Sequence, residues 1–290
     1  MTANKEAKSM EDIAQSAALR ETVIRPAKGF AQIDLRELWS YRALLASLTR
    51  RRLKSEFDQQ YLAYVWAVAR PLLMILLFSY FRHISSAKTG VDIPYPLYLY
   101  SGLILWFFFV ETVNDTSTSV KANAALIQKV YFPRILTPLA AILSNLVMLS
   151  IAAVPLVLLM AGFGVWPGWN LLLLPLVLLQ VALLIMGVGC IFAALGVGTA
   201  DWDRFLSFAL YIGLFVSPII YSPAMLPEKA QLIYSLNPMS GTLLAFRSAL
   251  FDGFPWPVGE WYYSLGFSVL IATVGVVVFQ RAERNMSDRL

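Results

Sequence analysis

Few side chains in this sequence could do covalent or acid–base chemistry. The 290 residues hold one His and one Cys. A His-based zinc triad, an intrachain disulfide and a multi-thiolate metal site are therefore excluded. No Gly is followed by Lys, which excludes the phosphate-cradling P-loop G-x-x-x-x-G-K-[ST]. The strongest carboxylate pattern is Glu111, Asp115 and Thr118 at i, i+4 and i+7, with Asn114 alongside. On a helix these positions share one face. No nucleophile or orienting group accompanies them, so they do not make an intramembrane enzyme. The spacing predicts a polar stripe on an otherwise aromatic helix, at its cytoplasmic end, facing a cavity or a protein neighbour rather than lipid.

The cations carry a second chemistry, the binding of anionic headgroups. Leu38, Tyr41, Leu45 and Leu48 recur at spacings 3, 4 and 3, and Arg42, Arg50, Arg51, Arg52 and Lys54 lie among and after them. This predicts an amphipathic helix over 34–60, apolar on one face and basic on the rest. Such a helix lies flat in the headgroup layer of an anionic leaflet, or packs its stripe on a partner protein. Arg70 stands inside an apolar segment, about 13 Å along a helix from Tyr61. A charge near the bilayer centre costs about 2.5–3.5 kcal/mol, so it needs a reason. It either snorkels back to the headgroups or faces a wet lumen and meets an anionic substrate, with Pro71 marking a kink. Arg50, Arg51, Arg52, Lys54 and Arg70 are the substrate-headgroup candidates.

The scaffold for these residues is set by composition. The chain is 58% hydrophobic and 14% charged, with a mean hydropathy of +0.64, whereas a soluble domain carries about 25% charged residues. The apolar residues come in long runs, which rules out a water-soluble globule. Spans are predicted over 61–81, 97–118, 136–160, 171–195, 205–221 and 261–279, by the requirement for about 20 mostly apolar residues. Six crossings divide the cations unevenly: 18 Lys and Arg on one side, 4 on the other, and Arg70 within a span. The positive-inside rule then puts both termini in the cytoplasm. The net charge of +5 follows that same asymmetry and points to a membrane rather than to nucleic acid. Residues 1–33 are polar, lack an apolar signal core and are expected to be a disordered cytoplasmic extension.

The outer side is expected to differ from the inner. The segment 223–255 is broken by Pro223, Pro227, Pro238 and Pro255, and 239–251 is apolar but too short to cross. It reads as a re-entrant structure, or else as a loop packed on itself. Tyr95, Tyr98, Tyr100, Trp106, Phe107, Phe108 and Phe109 cluster around the start of the second span. They fit an interfacial aromatic belt or a surface on which sugars stack. Between the second and third spans, the loop 121–135 carries Leu126, Ile127, Tyr131 and Phe132 among Lys121, Lys129 and Arg134. Apolar anchors in a short loop can fill a groove on a partner and transmit a rigid-body tilt.

Several strings together resemble a known family. They are Asn123, Leu126-Ile127 and Lys129-Val130-Tyr131-Phe132-Pro133-Arg134, then Ser217-Pro218-Ile219-Ile220-Tyr221, then Leu236-Asn237-Pro238-Met239 with Phe246-Arg247. With the basic helix and six spans, this order resembles the permease subunit of type-2 ABC exporters for O-antigen polysaccharide. Teichoic-acid and capsule permeases are close relatives. The likeness extends from about Leu38 to the C-terminus. Trp39, Tyr41, Arg42, Arg52, Leu53, Lys54, Trp66, Pro71, Pro94, Tyr95, Gly102, Glu283 and Arg284 add local matches. Two positions depart from the family pattern. Arg70 stands where Gln or Glu is usual, and Thr199-Ala200-Asp201 replaces Tyr-Arg-Asp in the turn after the fourth span.

The resemblance implies an all-α integral membrane protein, with an interface helix, six transmembrane helices and short re-entrant helices between the fifth and sixth. It implies a homodimer with two copies of a P-loop nucleotide-binding subunit, which would hold ATP and Mg. No cofactor or metal is expected on this chain. The cargo would be a glycan on an undecaprenyl-pyrophosphate-type lipid, exported across the bacterial inner membrane. Asn123, Leu126, Ile127, Lys129, Tyr131, Phe132, Pro133, Arg134 and Asp201 are the ATPase-coupling candidates. Tyr98, Trp106, Glu111 and Asp115 are the channel-lining candidates, and Ser217, Pro218, Tyr221, Asn237, Pro238 and Arg247 the outer-gate candidates. The alternative class is a channel or secondary transporter independent of ATP. Such transporters often show internal repeats, and the two three-span halves here show no convincing similarity.

Overall fold

The computed structural model describes residues 35–59, 63–85, 93–196, 199, 201–221, 227, 231 and 234–286. The expected extension 1–33 and parts of the segment 223–255 (223–226, 228–230 and 232–233) lie outside the described residues. The helices in order are α1 Leu35–Ser40, α2 Arg42–Gln59, α3 Ala63–Ser85, α4 Tyr95–Ala122, α5 Ala124–Ile127, α6 Leu136–Phe163, α7 Leu174–Gly196, α8 Asp201–Val216, α9 Pro238–Leu250 and α10 Val258–Met286. A 3-10 turn, Trp169–Leu173, leads into α7. No strand occurs among the described residues.

Among the described residues, four segments are long and apolar enough to cross a bilayer: α4, α6, Trp169–Gly196 and the first 26 residues of α10. The other two expected spans are shorter. In α3 the apolar stretch is Val68–Tyr80, with Arg70 and Pro71 inside it near its start. The 16-residue α8 stops where Ser217-Pro218 breaks the helix.

At the centre is α4, with 78% of its apolar window buried. It packs on α6 and α7, and more lightly on α3, α8 and α9. Its hydroxyls are tolerated in an apolar setting because they bond their own helix. Ser101 donates to the Tyr98 carbonyl at 2.9 Å, Thr112 to Phe108 at 2.5 Å and Ser119 to Thr116 at 2.7 Å. The largest contact joins α7 to α10. There Gly187 lies against the backbone of Ile271 and Ala272, and Gly275 against the backbone of Gly187. Small residues let two helices approach closely where lipid supplies no hydrophobic drive. The C-terminus of α6 is closed by Gly164 at φ 69°, with the Val165 amide donating to the Met160 carbonyl at 2.9 Å.

The N-terminal apolar stripe is covered by the chain itself. Leu38, Tyr41, Leu44, Leu45 and Leu48 pack on Leu126, Ile127, Phe132, Leu136, Leu139 and Ala140. Of these stripe residues Leu48 is buried, and Leu38, Tyr41, Leu44 and Leu45 are half-buried. The loop before α6 and the first turns of α6 offer an apolar surface closer at hand than lipid.

Candidate functional site

Three groups of polar residues stand out, one at each end of α4 and one inside it.

At the α5 end, Asn123 closes α4, its Nδ2 donating to the Ser119 carbonyl at 2.8 Å. Only part of the expected coupling segment is available to a partner. Phe132 is 4% exposed, in the cluster with Leu48, Leu136 and Ala140. It is a core residue, which corrects its place among docking candidates. Leu126 and Ile127 are half-buried under Leu38. Pro133 is half-buried, and its carbonyl accepts from the Leu136 amide at 3.1 Å. Arg134 is turned inward, its Nη1 donating to the Glu283 carbonyl at 2.8 Å and its amide to Glu283 Oε1 at 3.3 Å. Lys129, Val130 and Tyr131 are exposed, Tyr131 at 65%. Asp201 is exposed at the start of α8, 3.6 Å from Arg204. The residue that fastens α8 to this end is Asp203, whose Oδ2 meets Lys121 Nζ at 2.7 Å. Sequence spacing did not reveal it, because its partner lies 82 residues away.

Inside α4, the acidic stripe is matched by cations from two other elements. Glu111 Oε1 meets Arg70 Nη1 of α3 at 2.6 Å. Asp115 Oδ1 meets Arg52 Nη2 of α2 at 2.6 Å, while its Oδ2 accepts from Asn145 Nδ2 of α6 at 2.7 Å. Arg70 therefore does not stand alone, and Arg52, expected at the headgroups, is drawn onto a carboxylate. A charge inside a span is tolerated when it is paired. Asn145 is the member missed by sequence analysis, although a lone amide in an apolar span was the available signal. Arg50, Arg51 and Lys54 are exposed on α2.

At the α9 end, Arg247 is fully buried, and among the described residues no carboxylate pairs with it. Its Nη1 donates to the Pro218 carbonyl at 2.7 Å, and Nη2 to those of Tyr98 and Ile219 at 3.1 Å each. Its Nε reaches Ser101 Oγ at 3.4 Å, and the guanidinium lies 3.6 Å from the Tyr98 ring centroid. Carbonyls, a hydroxyl and a π-face replace the counter-ion. The Ser217-Pro218 break makes this possible, because it frees carbonyls that a continuing helix would use. Asn237 caps α9, accepting from the Met239 amide at 3.0 Å with Pro238 at the first helical position. Its Nδ2 also donates to Ser217 Oγ at 3.0 Å. Tyr221 donates to the Phe215 carbonyl at 2.6 Å. The six outer-gate candidates are thus gathered into one knot. Tyr98, at 0% exposure, belongs to it, and Trp106, at 4%, packs on Phe109 and Gly213. Neither lines an open channel within this chain, which corrects their expected role.

Comparison with known proteins agrees with this architecture. Residues 43–251 match the ABC-2 type transporter family, and the chain belongs to it, a family of membrane proteins that work with an ATP-binding subunit. The chain is 28% identical over 254 residues to the O-antigen export system permease protein RfbA of Klebsiella pneumoniae, covering 85% of this chain and 95% of that protein. It is 27% identical over 221 residues to the protein of the same name from Myxococcus xanthus, with coverage of 75% and 84%. To the polysialic acid transport protein KpsM of Escherichia coli it is 24% identical over 245 residues, with coverage of 83% and 93%.

Proposed function

We propose that this chain is the membrane-spanning subunit of an ATP-driven polysaccharide exporter, most closely one for O-antigen. Two copies would assemble with two copies of a P-loop subunit that holds ATP and Mg and hydrolyses the ATP. The complex would move a glycan on an undecaprenyl-pyrophosphate-type lipid outward across the inner membrane. The chain would cross six times, α3 and α8 completing the four longer spans, with both termini cytoplasmic. The observation that carries this proposal is the likeness to O-antigen permeases over 85% of the chain. It is joined by the absence of a P-loop in the sequence, which requires energy from a partner. Lys129, Val130 and Tyr131 would be the face offered to that partner.

A second cargo is favoured by one observation. The likeness to a polysialic acid transport protein covers 83% of the chain, so a capsule glycan on the same architecture is the competing substrate. Deleting the gene and identifying the lipid-linked glycan that accumulates inside the cell tests both. O-antigen intermediates are expected. A capsule intermediate would replace the first cargo with the second, and no accumulation of any glycan would reject export.

A further inference from the structure

We propose that Arg70, Glu111 and the groove between α3, α4 and α6 form a binding site for the terminal phosphate of a lipid, in which phosphate replaces Glu111 as the partner of Arg70. The identity of the lipid rests on the exporter proposal; the exchange of partners rests on the geometry.

The pair is unlike an ordinary structural clamp. Arg70 is 56% exposed and Glu111 45% exposed, although both lie on helices packed into the apolar bundle. Among the described residues Arg70 makes one hydrogen bond, Nη1 to Glu111 Oε1, of the five a guanidinium can make. Most of the fork is therefore available to a second acceptor without unfolding anything. The groove beside it is shallow, and Trp66, Pro71, Phe107, Met148 and Leu149 give it an apolar and aromatic wall, with Asn145 as a further polar residue; a hydrocarbon chain could lie along it rather than enter it. A charged head at one point and an apolar wall along the rest is the pattern of a lipid site rather than of a site for a free anion.

Charge supplies the resting state. Glu111 and Asp115 are one helical turn apart, about 6 Å along α4, and each is matched by one arginine. The empty site is thus neutral and tolerable in a bilayer. Arg52 on Asp115 holds α2 against α4. Phosphate offers a planar fork two parallel acceptors, whereas Glu111 uses one nitrogen, so the exchange gains a bond. Glu111, half exposed, is then released from Arg70.

The test uses the full chain purified with its ATP-binding subunit, nucleotide-free, in phosphatidylcholine nanodiscs, with binding of undecaprenyl pyrophosphate measured directly. Glu111→Gln removes the competing charge and is expected to tighten binding about 2- to 5-fold, the scale of one exposed ionic contact. Arg70→Gln is expected to weaken it at least about 10-fold and to abolish the gain in the double variant. Arg70→Lys, a point charge without the fork, falls between. A gain from Glu111→Gln cannot come from misfolding, so that variant guards the result. Weaker binding in both Glu111→Gln and Arg70→Gln would make the pair a structural clamp and overturn the proposal. Equal affinity for phosphatidylglycerol would make it a general anionic surface, and equal affinity for inorganic pyrophosphate a site without use for the lipid chain; each overturns it. Because binding is read without transport, failure here leaves the exporter proposal standing, and a deletion strain without accumulated glycan leaves the binding result standing.

Discussion

The arginines at the two ends of α4 have opposite partners. Arg247 at the α9 end is enclosed completely and donates to three backbone carbonyls and a hydroxyl. Arg52 and Arg70, toward the α5 end, meet carboxylates on side chains that keep 32% and 45% exposure. A backbone carbonyl cannot leave its place without the chain moving, and a buried cation cannot do without it. A carboxylate on a rotatable side chain can turn to water or to another cation at small cost. The α9 end is therefore built to hold one arrangement, and the acidic stripe to change partners.

The sharpest way to break this comparison is at Arg247. Arg247→Leu would orphan the carbonyls of Tyr98, Pro218 and Ile219. With hydrogen bonds to a charged group worth about 1.5–3 kcal/mol each, no folded complex is expected. Size-exclusion chromatography after detergent extraction reads this directly, and a monodisperse variant at normal yield would show the knot to be dispensable.

Next in size is Phe132→Ala. Emptying the site shared with Leu48, Leu136 and Ala140 should cost about 3–5 kcal/mol, read as a lowered melting temperature of the purified chain. Gly102→Ala probes the knot more gently. An added Cβ would stand 2.5 Å from Arg247 Nη2 and 3.3 Å from the Ile219 Cα. Overpacking of this kind costs about 1–3 kcal/mol, and an unchanged melting temperature would mean the knot can shift.

How much of this was legible beforehand depended on whether a feature has a period. The apolar runs of α4, α6, α7 and α10 are long enough to be read from composition. The short helix expected over 239–251 is Pro238–Leu250, because Asn237-Pro238 is a local start signal. The partners of Glu111 and Asp115 were not legible. Helical spacing gives the face on which a residue lies but not what meets it, and Arg70 is 41 positions away. The loop before α6 was equally opaque. Tyr131 and Phe132 are neighbours of similar type, one exposed at 65% and the other at 4%, and no periodicity in a loop sorts one from the other.

The acidic stripe should respond weakly where the knot responds strongly. A double-mutant cycle with Arg52→Ala and Asp115→Ala is expected to give a coupling of about 0.2–1 kcal/mol, the scale of a solvent-screened pair. Asn145 still donates to Asp115 when Arg52 is gone, which keeps the single Arg52 variant mild. A coupling as large as the loss at Phe132 would place the stripe with the fixed end and remove the contrast.

The smallest effect on stability is expected at Tyr131, and there the readout is assembly. Its ring is largely exposed, so Tyr131→Ala removes little packing and should change stability by no more than about 0.5 kcal/mol. An exposed aromatic between Lys129 and the buried Phe132 is, however, the kind of anchor that carries binding at an interface. Tyr131→Ala should therefore lower the amount of ATP-binding subunit that co-purifies, at an unchanged melting temperature of the chain. Charge reversal by Lys129→Glu on the same exposed face should act in the same direction, more weakly in high salt because an exposed charge is screened there. Phe132→Ala provides the contrast, since it should lower both stability and assembly together. If Tyr131→Ala and Lys129→Glu both leave assembly and export unchanged, the partner docks elsewhere. Another exposed feature at that end is the start of α8, where Asp201 lies open and Lys121–Asp203 ties the helix to the end of α4.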